Sequence, residues 1–240
     1  MPIIPQKRRI FTDGKMEETL KKIRSDLRLA MNGAVATSMR EKGMLYRVNF
    51  GVDIPRLRAM AKRYAPTAPL AEALWRTDTR ELKILATMLY PPADFSRGKA
   101  DEWASEIPNQ EIREQACMNL LQRLGFAHEL VSCWTAAEDS TLRATGFWLF
   151  GRLAVSPSSV ADKIDFQDVV HYAIGDLAKP SVFVRQAALN ALKCAGRTNP
   201  EIATWILNKL SPFRDAENPM EREIYAALRF EFEYALAKQK

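Results

Sequence analysis

Histidine, cysteine and long apolar runs are what this sequence has least of. Its two histidines, His128 and His171, have no cysteine, aspartate or glutamate at ligand spacing, so a metal centre is not expected. The three cysteines, Cys117, Cys133 and Cys194, are odd in number and form no Cys-x-x-Cys pair, which argues against a disulfide framework and a zinc knuckle. A reducing, cytoplasmic setting fits best. Cys117 paired with a distant histidine as a nucleophile competes with a plain core role, and mid-helix on an apolar face the core role is favoured. No apolar run approaches the ~18 residues that span a bilayer, and the opening residues 1–9 lack the apolar segment of a secretory signal. A Gly-rich phosphate loop is missing as well. No cofactor, metal or membrane partner is expected, and the chain is expected to be a monomer.

What is present is a chain of 240 residues, 47% hydrophobic, which is enough for a sizeable core. The formal charge is +6, unevenly placed. Residues 1–64 hold 15 Lys/Arg against 6 Asp/Glu, a balance of +9, so the remainder is −3. Such a surplus suits a polyanion through counterion release, and it equally suits a solvated helix face. Leu20, Ile23, Leu27 and Met31 fall on one helical face, and a second short helix is predicted over Ala34 to Lys42. Asp53-Ile54-Pro55 reads as an N-cap with proline in the first turn. Nothing alternates with period two for long enough to predict a strand.

Internal repetition is the strongest signal. Thr79 to Ala86 recurs as Gln110 to Ala116, Ser140 to Gly146 and Phe183 to Ala188, each an aliphatic residue followed by Lys or Arg and then a small residue. Lys83, Arg113 and Arg143 lie 30 apart, and Arg185 follows after 42, a gap with room for a turn around Pro157-Ser158-Ser159. The apolar anchors Trp75, Trp103, Trp134 and Leu177 precede these sites, and Pro91-Pro92, Pro108, Pro157 and Pro180 fall between helices. A helical hairpin of this size cannot bury its apolar face alone, so neighbours must stack. The expected fold is all-α, an α-solenoid or superhelix of HEAT-like helical hairpin repeats, with a tail over 1–16 and one domain over 17–240.

Two segments add a family resemblance. Tyr46 to Arg58, carrying Phe50-Gly51-Val52-Asp53-Ile54-Pro55, resembles the Phe-Gly-Val/Ile-x-x-Pro-x-x-Arg segment of the DNA alkylation repair enzyme family. Arg197-Thr198-Asn199-Pro200-Glu201 resembles the Lys-Thr-Asn-Pro-Asp turn late in that family. The resemblance covers residues 17 to 236. It implies a HEAT-like DNA glycosylase scaffold acting on 3-alkyladenine and 7-alkylguanine, with double-stranded DNA, damaged or non-B-form, as partner.

The resemblance also implies a site in which a Trp-x-x-x-Asp pair, an Arg and a second Trp line the concave wall, the carboxylate stabilising the oxocarbenium character of the departing sugar. Here Glu111 stands at the first Trp position, Gln115 at the Asp position, Ala144 at the Arg position and Asn190 at the second Trp position. All four depart. At ~4 Å and an effective dielectric of ~20 the missing charge interaction is worth roughly 4 kcal/mol, about three decades in rate. Glu111 and Glu114 remain as candidate catalytic carboxylates if the site is remodelled. Lys83, Arg113, Arg143 and Arg185, with Arg152, Lys193 and Arg197, form a candidate DNA-binding track; the competing role is pairing with acids of adjoining repeats such as Asp78, Glu114 or Asp139. Phe147, Trp148 and Phe150 suit packing better than base stacking. Three functions follow as alternatives: DNA binding with excision lost or remodelled, active excision through Glu111 or Glu114, and a protein-binding scaffold.

Overall fold

The computed structural model describes residues 13–44, 46–155 and 160–237. Residues 1–12 of the tail expected over 1–16, and the turn at 157–159, lie outside them. Every regular element among the described residues is helical, and the one strand-like feature is an isolated bridge between Val48 and Thr79. The chain divides into two compact units, Met1–Pro91 and Pro92–Lys240.

The first unit holds α1 (Asp13–Leu29), α2 (Gly33–Glu41), α3 (Ile54–Ala61), α4 (Ala68–Trp75) and α5 (Arg80–Leu89). The second holds α6 (Arg97–Ser105), α7 (Gln110–Asn119), α8 (Ala127–Thr135), α9 (Ser140–Ala154), α10 (Phe166–Asp176), α11 (Val182–Thr198), α12 (Pro200–Lys209), α13 (Ser211–Arg214) and α14 (Pro219–Ala237). α1 starts inside the stretch expected to be tail, because its first turn continues the Leu20/Ile23/Leu27 face.

Most helices begin where a short polar side chain satisfies the first free N–H groups. Asn32, Asp53, Thr67, Ser96, Asn109, Asp139, Asp165, Ser181 and Asn199 each accept a hydrogen bond from the first turn that follows. Pro55 and Pro200 sit in first turns, where their missing N–H costs nothing.

In the second unit α8 packs on α9 and α10 on α11, while the second helices α7, α9, α11 and α14 lie side by side in that order. This is the stacked-hairpin arrangement predicted from the repeats. The anchors Trp103, Trp134 and Leu177 are buried, as Trp75 is in the first unit. Trp134 also donates from Nε1 to Asp101 at 2.7 Å, joining α8 to α6. Gly146 lets α9 lie directly on the end of α8: a Cβ there would meet the Thr135 nitrogen at 2.8 Å and the Trp134 Cβ at 2.9 Å.

The Phe-Gly-Val segment of the first unit is held by a buried ion pair. Arg80 and Glu81 open α5 and are both enclosed, 2.9 Å apart. Glu81 accepts the Phe50 N–H at 3.1 Å and the Val52 N–H at 3.2 Å, and Arg80 donates to the Val52 carbonyl at 2.8 Å. Gly51, between them, has φ +70°, and a Cβ there would overlap the Asn32 carbonyl at the start of α2. Asn32 in turn donates its N–H to the Phe50 carbonyl at 2.8 Å. A buried pair of this kind is stable only when its remaining donors and acceptors are filled, and here backbone fills them.

Candidate nucleic-acid interface

The basic residue that recurs with the repeats always occupies the fourth position of a second helix: Lys83 in α5, Arg113 in α7, Arg143 in α9 and Arg185 in α11. Arg222 holds the same position in α14. A side chain there leans back toward its helix N-terminus and meets the chain leaving the preceding helix. Lys83 Nζ donates to the Trp75 carbonyl at 2.7 Å and lies over the Trp75 ring. Arg143 donates to the Ala137 carbonyl at 3.0 Å, Arg185 to the Lys179 carbonyl at 2.9 Å and Arg222 to the Glu217 carbonyl at 2.8 Å. The acceptors are carbonyls at or just past a helix C-terminus, where a cation also meets the negative end of the helix dipole.

Two of these residues also reach into the next repeat. Arg143 binds Asp176 of α10 through both Nε and Nη2, the latter at 3.1 Å, and Asp176, wholly buried, is also bridged by Lys179 at 2.7 Å. Tyr172 and Phe147 flank the same guanidinium. Arg113 is 4% exposed; its Nε donates to Thr145 of α9 at 3.2 Å and its Nη1 to Gln110 at 2.8 Å. Burial pulls the Arg113 guanidinium below its ordinary value, against the opposing influence of Cys117 and Glu114. The acid that Arg143 uses is thus Asp176, rather than Asp78, Glu114 or Asp139.

The positions at which the family resemblance implies chemistry are placed as follows. Gln115 is 7% exposed and its Oε1 accepts from Asn119 at 3.1 Å, so the amide is engaged within α7. Ala144 is wholly buried, and a cation at that point of α9 would face the core. Asn190 is half-buried, with its Nδ2 3.0 Å from where a Cβ on Gly151 would stand, so α9 and α11 approach closely there. Glu111 and Glu114 are half-buried, and Glu114 Oε1 accepts from Gln110 at 3.0 Å. Phe147 and Phe150 belong to the core, Phe150 meeting Phe166 edge-on. Trp148, on the α9 face four residues before Arg152, is half-buried, and its indole N–H has no acceptor among the described residues.

The remaining basic residues form a second group. Arg152, on α9, donates from Nε and Nη2 to Gln122 Oε1 just past α7, both at 3.2 Å. On α11, Lys193 has no acidic partner among the described residues, and Arg197 one turn later is half-exposed and pairs with Glu231 of α14 at 2.6 Å. Burial pushes the Cys117 thiol up to about 12, against the pull of Arg113 and Arg152, and raises Cys194 against Arg197 and Arg152. Neither thiol is a nucleophile at neutral pH. Asp176, Thr145, Gln122 and Glu231 were not singled out by sequence pattern; each is the partner of a repeat-register or α9–α11 cation, and only the helix–helix register discloses it.

The sequence matches the DNA alkylation repair enzyme family over residues 23–224. No match was found among curated proteins. Among solved structures, one described as a new family of proteins related to the HEAT-like repeat DNA glycosylases with affinity for branched DNA structures is 15% identical, with a TM-score of 0.71 over 88% of this chain and 94% of that one. A designed armadillo repeat protein in complex with the peptide (KR)4 is 14% identical over 94% and 96% of the two chains, with a TM-score of 0.46. The first likeness bears on the fold, and the second carries no argument.

Proposed function

Because the chain belongs to the DNA alkylation repair enzyme family, we propose that it binds double-stranded DNA, with branched or otherwise non-B-form duplex as the favoured form, and that excision of alkylated purines has been lost. The observation that carries this is the neutral, internally bonded Gln115 where the family places its aspartate. An amide offers no charge to an oxocarbenium centre, and the buried Ala144 offers none to a phosphate.

DNA contact falls to exposed Arg197 and to half-buried Arg152 and Lys193, with Arg185 at the edge of the same layer. Lys83, Arg113 and Arg143 act as braces between helices. The structural relative's affinity for branched DNA supports the choice of nucleic acid form. Phosphate contacts from such residues are independent of sequence and weaken steeply with salt.

The half-exposed carboxylates of Glu111 and Glu114 keep an enzymatic reading in play. Incubation with duplex containing 7-methylguanine separates the two. No base release, together with salt-sensitive binding of the same duplex, is expected. Release abolished by Glu111→Gln or Glu114→Gln would instead establish a remodelled glycosylase.

A further inference from the structure

We propose that the first unit carries a binding site for a phosphate group of a nucleotide, bounded by Arg24, Arg28 and Thr79, separate from the α9–α11 layer and independent of it. The site is a cavity of about 300 Å³ within that unit, at the lower end of the range that small-molecule sites occupy.

Arg24 and Arg28 stand one turn apart on the exposed flank of α1, about 100° round the helix from the buried Ile23 and Leu27. Like charges at this spacing destabilise a helix unless an anion sits between them. No carboxylate does so: neither arginine has an acidic partner among the described residues, and the cavity lining contains no acid. The nearby Asp26 is taken by Tyr64 at 2.6 Å and by Arg63 at 3.1 Å. Glu81, behind the cavity, is held by Arg80 and by the Phe50 and Val52 N–H groups.

Thr79 supplies an independent indication. It precedes α5, lines the cavity and is 8% exposed, yet its hydroxyl caps nothing and has no partner among the described residues. The oxygen itself is not enclosed: it opens on the cavity, where a ligand oxygen can meet it. Thr77 beside it already donates to the Leu74 carbonyl at 2.7 Å, leaving Thr79 as the open donor. The positive end of α5 points the same way in sign.

The remaining walls, Val48, Phe50 and Leu82, are apolar. A bare inorganic ion would leave them idle, whereas the sugar and base attached to a phosphate would cover them. The phosphate is borne either by a nucleic-acid strand or by a free nucleotide, and the surplus of +9 over residues 1–64 favours either polyanion.

The test uses the full chain with labelled dT10, with dTMP and with inorganic phosphate. Arg24→Gln/Arg28→Gln is expected to lower affinity for the ligand that binds by about ten-fold and to reduce the salt slope on dT10 by about two. Thr79→Val, isosteric and lacking only the hydroxyl, should weaken binding with the salt slope unchanged. Loss confined to dT10 identifies a strand as the source of the phosphate; loss on dTMP identifies a free nucleotide. Lys193→Gln/Arg197→Gln, which alters the other layer, should leave dTMP binding intact even if duplex binding fails. Variants at Arg24, Arg28 and Thr79 that bind dT10 and dTMP like the parent chain, or a parent chain that binds neither, overturn the proposal.

Discussion

Arg143 and Lys193 lie in consecutive second helices of the same unit, yet they are treated in opposite ways. Arg143 is tied to the Ala137 carbonyl, to buried Asp176 and to two aromatic faces. Lys193 meets no acid among the described residues, and its neighbour Arg197 keeps half its surface in solvent. Arg143 is in step with the repeat and Lys193 is not. The periodic cation closes the joint between two helices at Lys83, Arg143, Arg185 and Arg222, whereas Lys193, out of step with the repeat, meets no acid among the described residues.

The comparison breaks most visibly at Asp176. Asp176→Ala removes the one acid shared by Arg143 and Lys179 and leaves a mostly buried guanidinium uncompensated. Chemical denaturation should show a loss of about 3–5 kcal/mol. A loss below about 1 kcal/mol would mean that Arg143 is not a brace.

A smaller effect is expected at the joint between α11 and α12. Asn199 Oδ1 accepts from Glu201 N at 2.7 Å and Ile202 N at 3.4 Å, and Pro200 follows in the first turn. Asn199→Ala should lower stability by about 1 kcal/mol, read from the same denaturation curves, with DNA affinity unchanged. That outcome would confine the Thr-Asn-Pro turn to folding.

The first unit carries a pH dependence that neither substitution touches. Burial, then the hydrogen bond to Asp26, pushes the Tyr64 phenol up from 10.0 to about 12. The unfolded chain therefore releases this proton first as pH rises, so stability is flat below pH 10 and falls between pH 10 and 12. Tyr64→Phe should flatten that part of the melting-temperature profile.

These contrasts mark what sequence alone could tell. The hairpins were legible because their signals are local and periodic: caps such as Asp53 and Asn199, buried anchors such as Trp134, and the cation at the fourth position of the second helices. The two family-bearing segments were legible as patterns, but their work is architectural. Phe50-Gly51-Val52 is clamped by Arg80 and Glu81, and Thr198-Asn199-Pro200 turns and caps. Partner choice was not legible. Arg143 selects Asp176 and Arg113 selects Thr145 across more than thirty residues, and no spacing rule distinguishes those from the nearer acids. The open hydroxyl of Thr79 is likewise invisible in sequence, where the residue reads as an ordinary N-cap.

The division between bracing and contacting cations is tested most directly by the salt dependence of duplex affinity for Lys193→Gln/Arg197→Gln. If these residues meet phosphates, the slope of log affinity against log salt falls by about two while the melting temperature stays that of the parent chain. An unchanged slope would contradict the assignment and leave the α9–α11 layer without a role in DNA binding.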